Sequence, residues 1–313
     1  MRVAVVGTGG VALRHLGVLA QLPDLELVGH LSADPRRAEA QAGRWGGRAY
    51  ATLEDLLDLA RPEAVWVCVT PDRHGRLEEM LIERGVPFFV EKPLSVDLAT
   101  AERIAARLAA RPVIVGVGYK LRALDTLPRL RGLLADRPAR LLLMQWHDAT
   151  PAPAWWRDEA RSGGQVVEQA THLVDLARVL VGEGEAIAAT EAAPRADTGL
   201  PQVSAALLRF GSVPGVLTAT CLLEAKQAAQ VQLVCNGRVL TQTEQLLRVE
   251  TGRTVEELAV QGDPFLIEDD AFVRALKKRD PRLVVCDYAD ALRTHRLCLA
   301  IRELADHLPS AGD

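Results

Sequence analysis

Five short apolar runs mark the first 118 residues: Val3–Val6, Leu25–Leu31, Val65–Val69, Pro87–Val90 and Val113–Val117. They are largely continuous rather than alternating, which is how strands buried on both faces read. Between them, apolar positions recur at the helical period and predict helices near 11–22, 36–43, 53–60, 73–84 and 97–110. Strand and helix alternate throughout. The prediction is therefore a Rossmann-type, doubly wound parallel sheet of βα units.

Beyond residue 120 the pattern changes. A helical stretch at 124–135 leads into a strand, Arg140–Trp146, and a helix at 165–181 closes at Gly182. The following strands do alternate: in Ala228–Asn236, Val231, Leu233 and Cys235 face one way and Gln230 and Gln232 the other. Further strands are expected at 203–210, 214–223, 238–242, 245–250 and 254–260, then helices near 267–278 and 287–306. This predicts an α+β domain with a large, mostly antiparallel sheet covered on one face by helices. The expected division is a dinucleotide-binding domain over 1–120 and a substrate-binding and oligomerisation domain over 121–313. A length of 313 residues suits two domains better than one.

The first apolar run leads directly into Gly7-Thr8-Gly9-Gly10-Val11-Ala12 and a helix. Gly7 permits a tight turn, Gly9 lets a pyrophosphate approach the backbone, and Ala12 is small enough for helix–strand packing. The free N–H groups and dipole of the helix start would hold phosphate. At the end of the second strand, where an acid would hold the ribose 2′-hydroxyl, stands Ser32, with Asp34 two positions on and Arg36 and Arg37 opening the next helix. A hydroxyl and guanidinium groups suit a 2′-phosphate, so NADP is expected over NAD.

The fourth run ends in Glu91-Lys92-Pro93. The carboxyl ends of parallel strands face the ligand crevice of such folds. An ammonium at that edge can stabilise charge building on a substrate oxygen during hydride transfer. Tyr119 and Lys120, leaving the fifth run, are weaker substrate-contact candidates. The otherwise apolar stretch 163–180 carries Glu168, His172 and Asp175 at i, i+4 and i+7, one stripe of a regular helix. Imidazole exchanges protons near neutrality. His172 can therefore act as proton carrier, with Glu168 orienting it or binding a substrate hydroxyl. Asp175 would bond the second ring nitrogen or pair with Arg178, and carries no chemical step. Trp155 and Trp156, in a proline-rich loop, would wall a substrate pocket or pack in the core.

Composition narrows the field. A net charge of −4 and a pI near 6.0 give no basic face for nucleic acid. The five cysteines are scattered without ligand spacing, so they read as reduced thiols, and no metal is expected. No apolar run is long enough for a membrane span, and Met1–Gly10 lacks the apolar core of a signal peptide, so a cytoplasmic protein is expected.

These motifs together resemble the Gfo/Idh/MocA oxidoreductases, the family of glucose–fructose oxidoreductase and inositol dehydrogenase. The resemblance rests on the Gly7–Ala12 loop, Cys68-Val69-Thr70-Pro71-Asp72-Arg73-His74, Glu91-Lys92-Pro93, Trp155-Trp156, Gly163-Gly164 with His172-Leu173-Val174-Asp175, and Asp287–Thr294. It implies that Lys92 and His172 are catalytic partners flanking the substrate. It also implies that Thr70, Pro71 and His74 lie beside the ribose and nicotinamide, and that the protein forms homodimers or homotetramers. Four residues before the helix histidine the family usually has aspartate; here Glu168 sets the carboxylate one methylene further out. The expected activity is hydride transfer between NAD(P) and a secondary alcohol or ketone of a polyhydroxy compound. The alternatives are a dinucleotide-binding regulator without turnover and a reductase of an imine or tetrapyrrole.

Overall fold

The computed structural model describes residues 1–306. The chain divides into two compact units. The first comprises residues 1–95, 99–123 and 263–292; the second comprises 96–98, 124–262 and the segment from 293.

The first unit is built on β1 (Arg2–Val6), β2 (Glu26–Leu31), β3 (Arg48–Tyr50), β4 (Ala64–Val67), β5 (Phe88–Val90) and β6 (Val115–Val117). All pairs are parallel, in the order β3-β2-β1-β4-β5-β6. The order reverses beside β1, the position where doubly wound folds open a crevice at the strands' carboxyl ends. Register fixes what lies there: Val6 pairs with both Leu31 and Val67, Val67 with Val90, and Val90 with Val117. Gly7, Ser32, Cys68, Glu91 and Gly118 therefore leave the sheet along one edge.

The core of this unit gathers Val3, Val5, Leu16, Trp66, Phe89 and Phe272. Phe272 meets Trp66 edge-on at 5.2 Å and Phe89 at 5.7 Å. It comes from the helix Pro264–Lys278, whose buried side includes Ala271, Phe272, Val273 and Ala275. That helix was expected in the second domain on chain order. Its apolar stripe instead covers the first unit, because an amphipathic period shows that a helix has a buried face and not which sheet it covers.

The second unit holds β7 (Ala139–Ala149), β8 (Gly184–Pro194), β9 (Pro201–Phe210), β10 (Val213–Leu223), β11 (Ala228–Cys235), β12 (Arg238–Thr243), β13 (Leu246–Thr251) and β14 (Thr254–Ala259). Their order is β14-β13-β12-β11-β7-β10-β9-β8, antiparallel except where β10 runs parallel to β7. The burial of β11 alternates along its whole length, as its sequence predicts. β8 was not expected: its alanines carry little strand preference, and it is held only at the sheet edge against β9. Among the described residues no helix is long and apolar enough to cross a membrane.

Candidate active site

In the first unit, the loop after β1 is shaped by backbone contact. Gly7 N–H donates to the Leu31 carbonyl at 2.8 Å. Its φ is +114°, and a Cβ there would lie 2.0 Å from the Cys68 carbonyl oxygen, so only glycine fits. Gly9 then caps the helix Gly10–Leu19 with no side chain bonded to the first turn. A Cβ on Gly9 or Gly10 would meet nothing within 4 Å. An exposed helix start with open space before its N–H groups fits a pyrophosphate. Thr8 is buried and Val11 exposed.

Ser32 Oγ lies 2.9 Å from Thr8 Oγ1 and accepts from Asp34 N–H at 3.2 Å. Arg37 is not a free surface charge: its guanidinium donates to the Thr8 carbonyl at 2.6 Å. Asp34 caps the helix Pro35–Trp45 by accepting from Arg36 N–H at 3.0 Å, leaving the Arg36 side chain exposed. Thr8, Ser32 and Arg37 thus form one polar group at the ends of β1 and β2.

After β4, the Thr70 hydroxyl donates to Asp72, and Pro71 opens a short turn that ends at His74. His74 is buried. Its Nδ1 lies 2.6 Å from Glu78 Oε1, while Nε2 has no hydrogen-bond partner. Glu78 also accepts from Gly75 N–H at 2.6 Å, which fixes the ring. A buried imidazole nitrogen with no partner marks a place for a polar ligand atom. Glu78 was not picked out from sequence, although its i+4 spacing from His74 was available.

At the end of β5, Glu91 is buried and Lys92 half-buried. Lys92 N–H donates to Glu91 Oε2 at 3.1 Å, and Glu91 Oε1 lies 2.9 Å from His15 Nε2. His15 Nδ1 lies 2.9 Å from Asp269, which also accepts from Trp66 Nε1 at 2.9 Å. The chain Trp66–Asp269–His15–Glu91–Lys92 joins four distant stretches of sequence, and no local spacing could have revealed it. Burial would discharge the His15 imidazole, but the Asp269 carboxylate, aided by Cys68 and the hydrogen bonds to Asp269 and Glu91, holds its pKa well above the ordinary value. Burial also pushes the Cys68 thiol up to about 12, so it is inert as a nucleophile. Tyr119 is fully buried, with the Arg122 guanidinium 5.9 Å from its ring centre. Lys120 places its ammonium 5.2 Å from the Phe265 ring centre.

In the second unit, the stretch 165–181 is not one regular helix. Val166–Ala170 forms a π-helical turn, and the α-helix runs from Thr171 to Val181. The wider turn changes the angle between Glu168 and His172 from that of a regular helix. Glu168 Oε2 accepts from Trp156 Nε1 at 2.8 Å. Trp156 is buried with Leu200 and Cys221, and Trp155 packs half-buried against them. The Trp156 indole thus holds the Glu168 carboxylate. His172 is buried and stacks on Trp146, with ring centres 6.1 Å apart and planes 20° apart. Asp175 accepts from Thr294 Oγ1 at 2.7 Å and lies 4.0 Å from Arg178, one of the two partners considered for it from the sequence.

Residues 1–119 match the NAD-binding Rossmann fold of the GFO/IDH/MocA oxidoreductase family, and residues 139–240 match that family's C-terminal domain. An inositol 2-dehydrogenase of Saccharopolyspora erythraea is 30% identical over 248 residues, which cover 76% of this chain and 72% of that protein. A myo-inositol dehydrogenase of Streptomyces leeuwenhoekii is 31% identical over 58% of this chain and 56% of its own length. The match likewise spans little more than half of further inositol dehydrogenases. Among solved structures, a 3-ketoreductase from Actinomadura kijaniata, in complex with NADP and TDP-benzene, superposes with a TM-score of 0.87 over 97% of both chains at 21% identity. At that identity the likeness speaks for the fold.

Proposed function

This chain belongs to the GFO/IDH/MocA oxidoreductase family, and from that premise we propose that it moves hydride between a nicotinamide dinucleotide and a secondary alcohol or ketone of a sugar, cyclitol or similar polyhydroxy compound. The observation that carries this reading is the single sheet edge on which the Gly7–Gly10 loop, Ser32, His74 and Lys92 all stand. The first unit is assigned to the dinucleotide and the second to the substrate. When bound, the dinucleotide supplies the hydride chemistry. The side chains supply position and manage the proton.

The roles follow from each residue's setting. The N–H groups at the Gly9–Val11 helix start bind the pyrophosphate. Ser32, Arg36 and Arg37 receive a ribose 2′-phosphate, so NADP is preferred. Thr70, Pro71 and His74 line the ribose and nicotinamide, with Glu91 holding the backbone of Lys92. Lys92 donates to the substrate oxygen, and His172 takes or returns the hydroxyl proton. Glu168, braced by Trp156, binds a substrate hydroxyl. The protein is assigned to the cytoplasm as a homo-oligomer whose second-unit sheet pairs with another copy. The exposed Ile187, Leu207 and Leu222 on adjoining strands β8, β9 and β10 support that pairing.

The test is a panel of keto-sugars and ketocyclitols with NADPH, and of the matching alcohols with NADP, followed at the nicotinamide absorbance. Turnover with one member is expected. Dinucleotide binding with no absorbance change on any member or at any pH would mark a regulator instead. The cofactor assignment has its own check. Ser32→Asp places a carboxylate beside the ribose and is expected to lower the NADP-to-NAD affinity ratio at least ~10-fold, a change of about 1.4 kcal/mol. Fluorescence titration with NADPH and NADH measures it, and an unchanged ratio would remove Ser32 as the discriminator.

A further inference from the structure

Beneath the sheet edge of the first unit lies a cluster in which only Glu91, through one oxygen on the Lys92 N–H, serves the proposed reaction. One donor atom from each of His15, Glu91 and Glu268 lies within 4.8 Å of the others. These side chains come from the first helix, the end of β5 and the helix Pro264–Lys278. His15 is 0% exposed, Glu91 6% and Glu268 1%. With Asp269, also 0% exposed, three carboxylates share one buried region beside Phe89 and Phe265, whose ring centres stand 5.2 and 5.3 Å from that of His15.

Buried charge in such surroundings is paired or bound to metal. Asp269 is satisfied by His15 and Trp66, and Glu91 by His15 and Lys92 N–H. Glu268 is not: both of its oxygens are buried without a hydrogen-bond partner. Burial, with the neighbouring Glu91 and Asp269 carboxylates, holds its carboxyl well above the ordinary carboxylate range against the weaker pull of His15 and Lys120, so it favours the proton until a cation replaces it. The Asp269–His15 pair reproduces the arrangement in which a carboxylate orients a metal-bound imidazole: it holds Nδ1–H and leaves Nε2 facing Glu91 and Glu268.

We propose that His15 Nε2, Glu91 and Glu268 form a binding site for one divalent cation of the zinc or manganese type, with Asp269 as the partner that orients the imidazole. One nitrogen and two carboxylates suit such borderline ions. Two anionic ligands also neutralise a doubly charged ion without further counter-charge. His15 Nε2 and Glu91 Oε1 stand 2.9 Å apart. Ligand atoms sharing an ion at about 2.1 Å sit roughly 3.4 Å apart at tetrahedral angles, so the proton now between them gives way to the ion with a shift of about half an ångström. The ion would tie the helix Pro264–Lys278 to the strand end that carries Lys92, a structural rather than a chemical task.

The test reads metal and stability, so its outcome is separate from that of the hydride-transfer reading. Untagged protein purified without chelator is assayed by inductively coupled plasma mass spectrometry, then stripped and titrated with Zn²⁺ and with Mn²⁺ while the Tm is followed. About one equivalent of metal is expected, with a Tm rise when one of the two ions is restored to stripped protein. Glu268→Gln keeps the side chain's shape and is expected to weaken that ion at least ~10-fold and to abolish the Tm rise. Less than about a tenth of an equivalent with no Tm rise for either ion would overturn the proposal. So would a Glu268→Gln protein that binds the ion as tightly as the parent, since the ion would then sit elsewhere. A cluster held together by protons alone would instead leave the Tm of Glu268→Gln unchanged or raised, because the substitution removes a lone buried acid.

Discussion

Lys92→Ala is expected to lower turnover about 10³-fold while leaving the dinucleotide Kd within a few-fold of the parent. The side chain leaves the sheet edge half-buried at the end of β5, and its own N–H is anchored on the buried Glu91 carboxylate. A loss of this size is about 4 kcal/mol of transition-state stabilisation, in the upper range of what one positioned charged donor supplies. The pyrophosphate interactions assigned to the Gly9–Val11 helix start do not involve Lys92, which is why binding should survive. Steady-state kinetics on whichever substrate the panel identifies, with NADPH fluorescence titration alongside, separates the two quantities. Retained kcat with lost dinucleotide affinity would make Lys92 a cofactor ligand and remove it from the chemistry.

Gly7→Ala should be the most damaging single-methyl change in the nucleotide loop. The added carbon would stand 2.0 Å from the Cys68 carbonyl oxygen, an atom of a central strand's end that cannot swing aside. The residue would also have to hold φ at +114°. Both effects act on the folded state, and together they are expected to cost about 4 kcal/mol or more, read as a lowered denaturation midpoint. Gly9→Ala is the matched contrast. Its Cβ would meet nothing within 4 Å and its φ is −75°, so the fold should tolerate it. The methyl group would project where the pyrophosphate is assigned, and dinucleotide affinity should fall with the Tm unchanged. A destabilised Gly9→Ala protein, or one that binds NADPH as before, would contradict the assignment of that space to a ligand.

How far the architecture could be read depends on how each element is buried. The strands β1, β2, β4, β5 and β6 are covered on both faces, so each is a nearly unbroken apolar run and visible in the sequence. β11 is covered on one face and announces itself by alternation. β3 is three residues long, with no buried position, and offers no pattern to read. β8 is rich in alanine and mostly exposed, and it exists as a strand because β9 provides hydrogen-bond partners. The turn Val166–Ala170 has the apolar content of an α-helix; its π geometry is a product of packing that composition does not encode.

The sequence by itself determined the local chemistry: a glycine where the backbone must turn with positive φ, a lysine directly after a buried strand, an imidazole and a carboxylate in an otherwise apolar helical stretch. These are properties of a residue and its near neighbours, and period and spacing suffice to find them. Only the tertiary structure decided which groups share a buried volume. It gave the Trp156 indole to Glu168 and the helix Pro264–Lys278 to the first unit. It also joined His15, Glu91, Glu268 and Asp269 from stretches more than seventy residues apart. The reason is that a buried polar group is stabilised by whichever partner the packing brings within about 3 Å, and that choice belongs to the whole fold rather than to any segment of it.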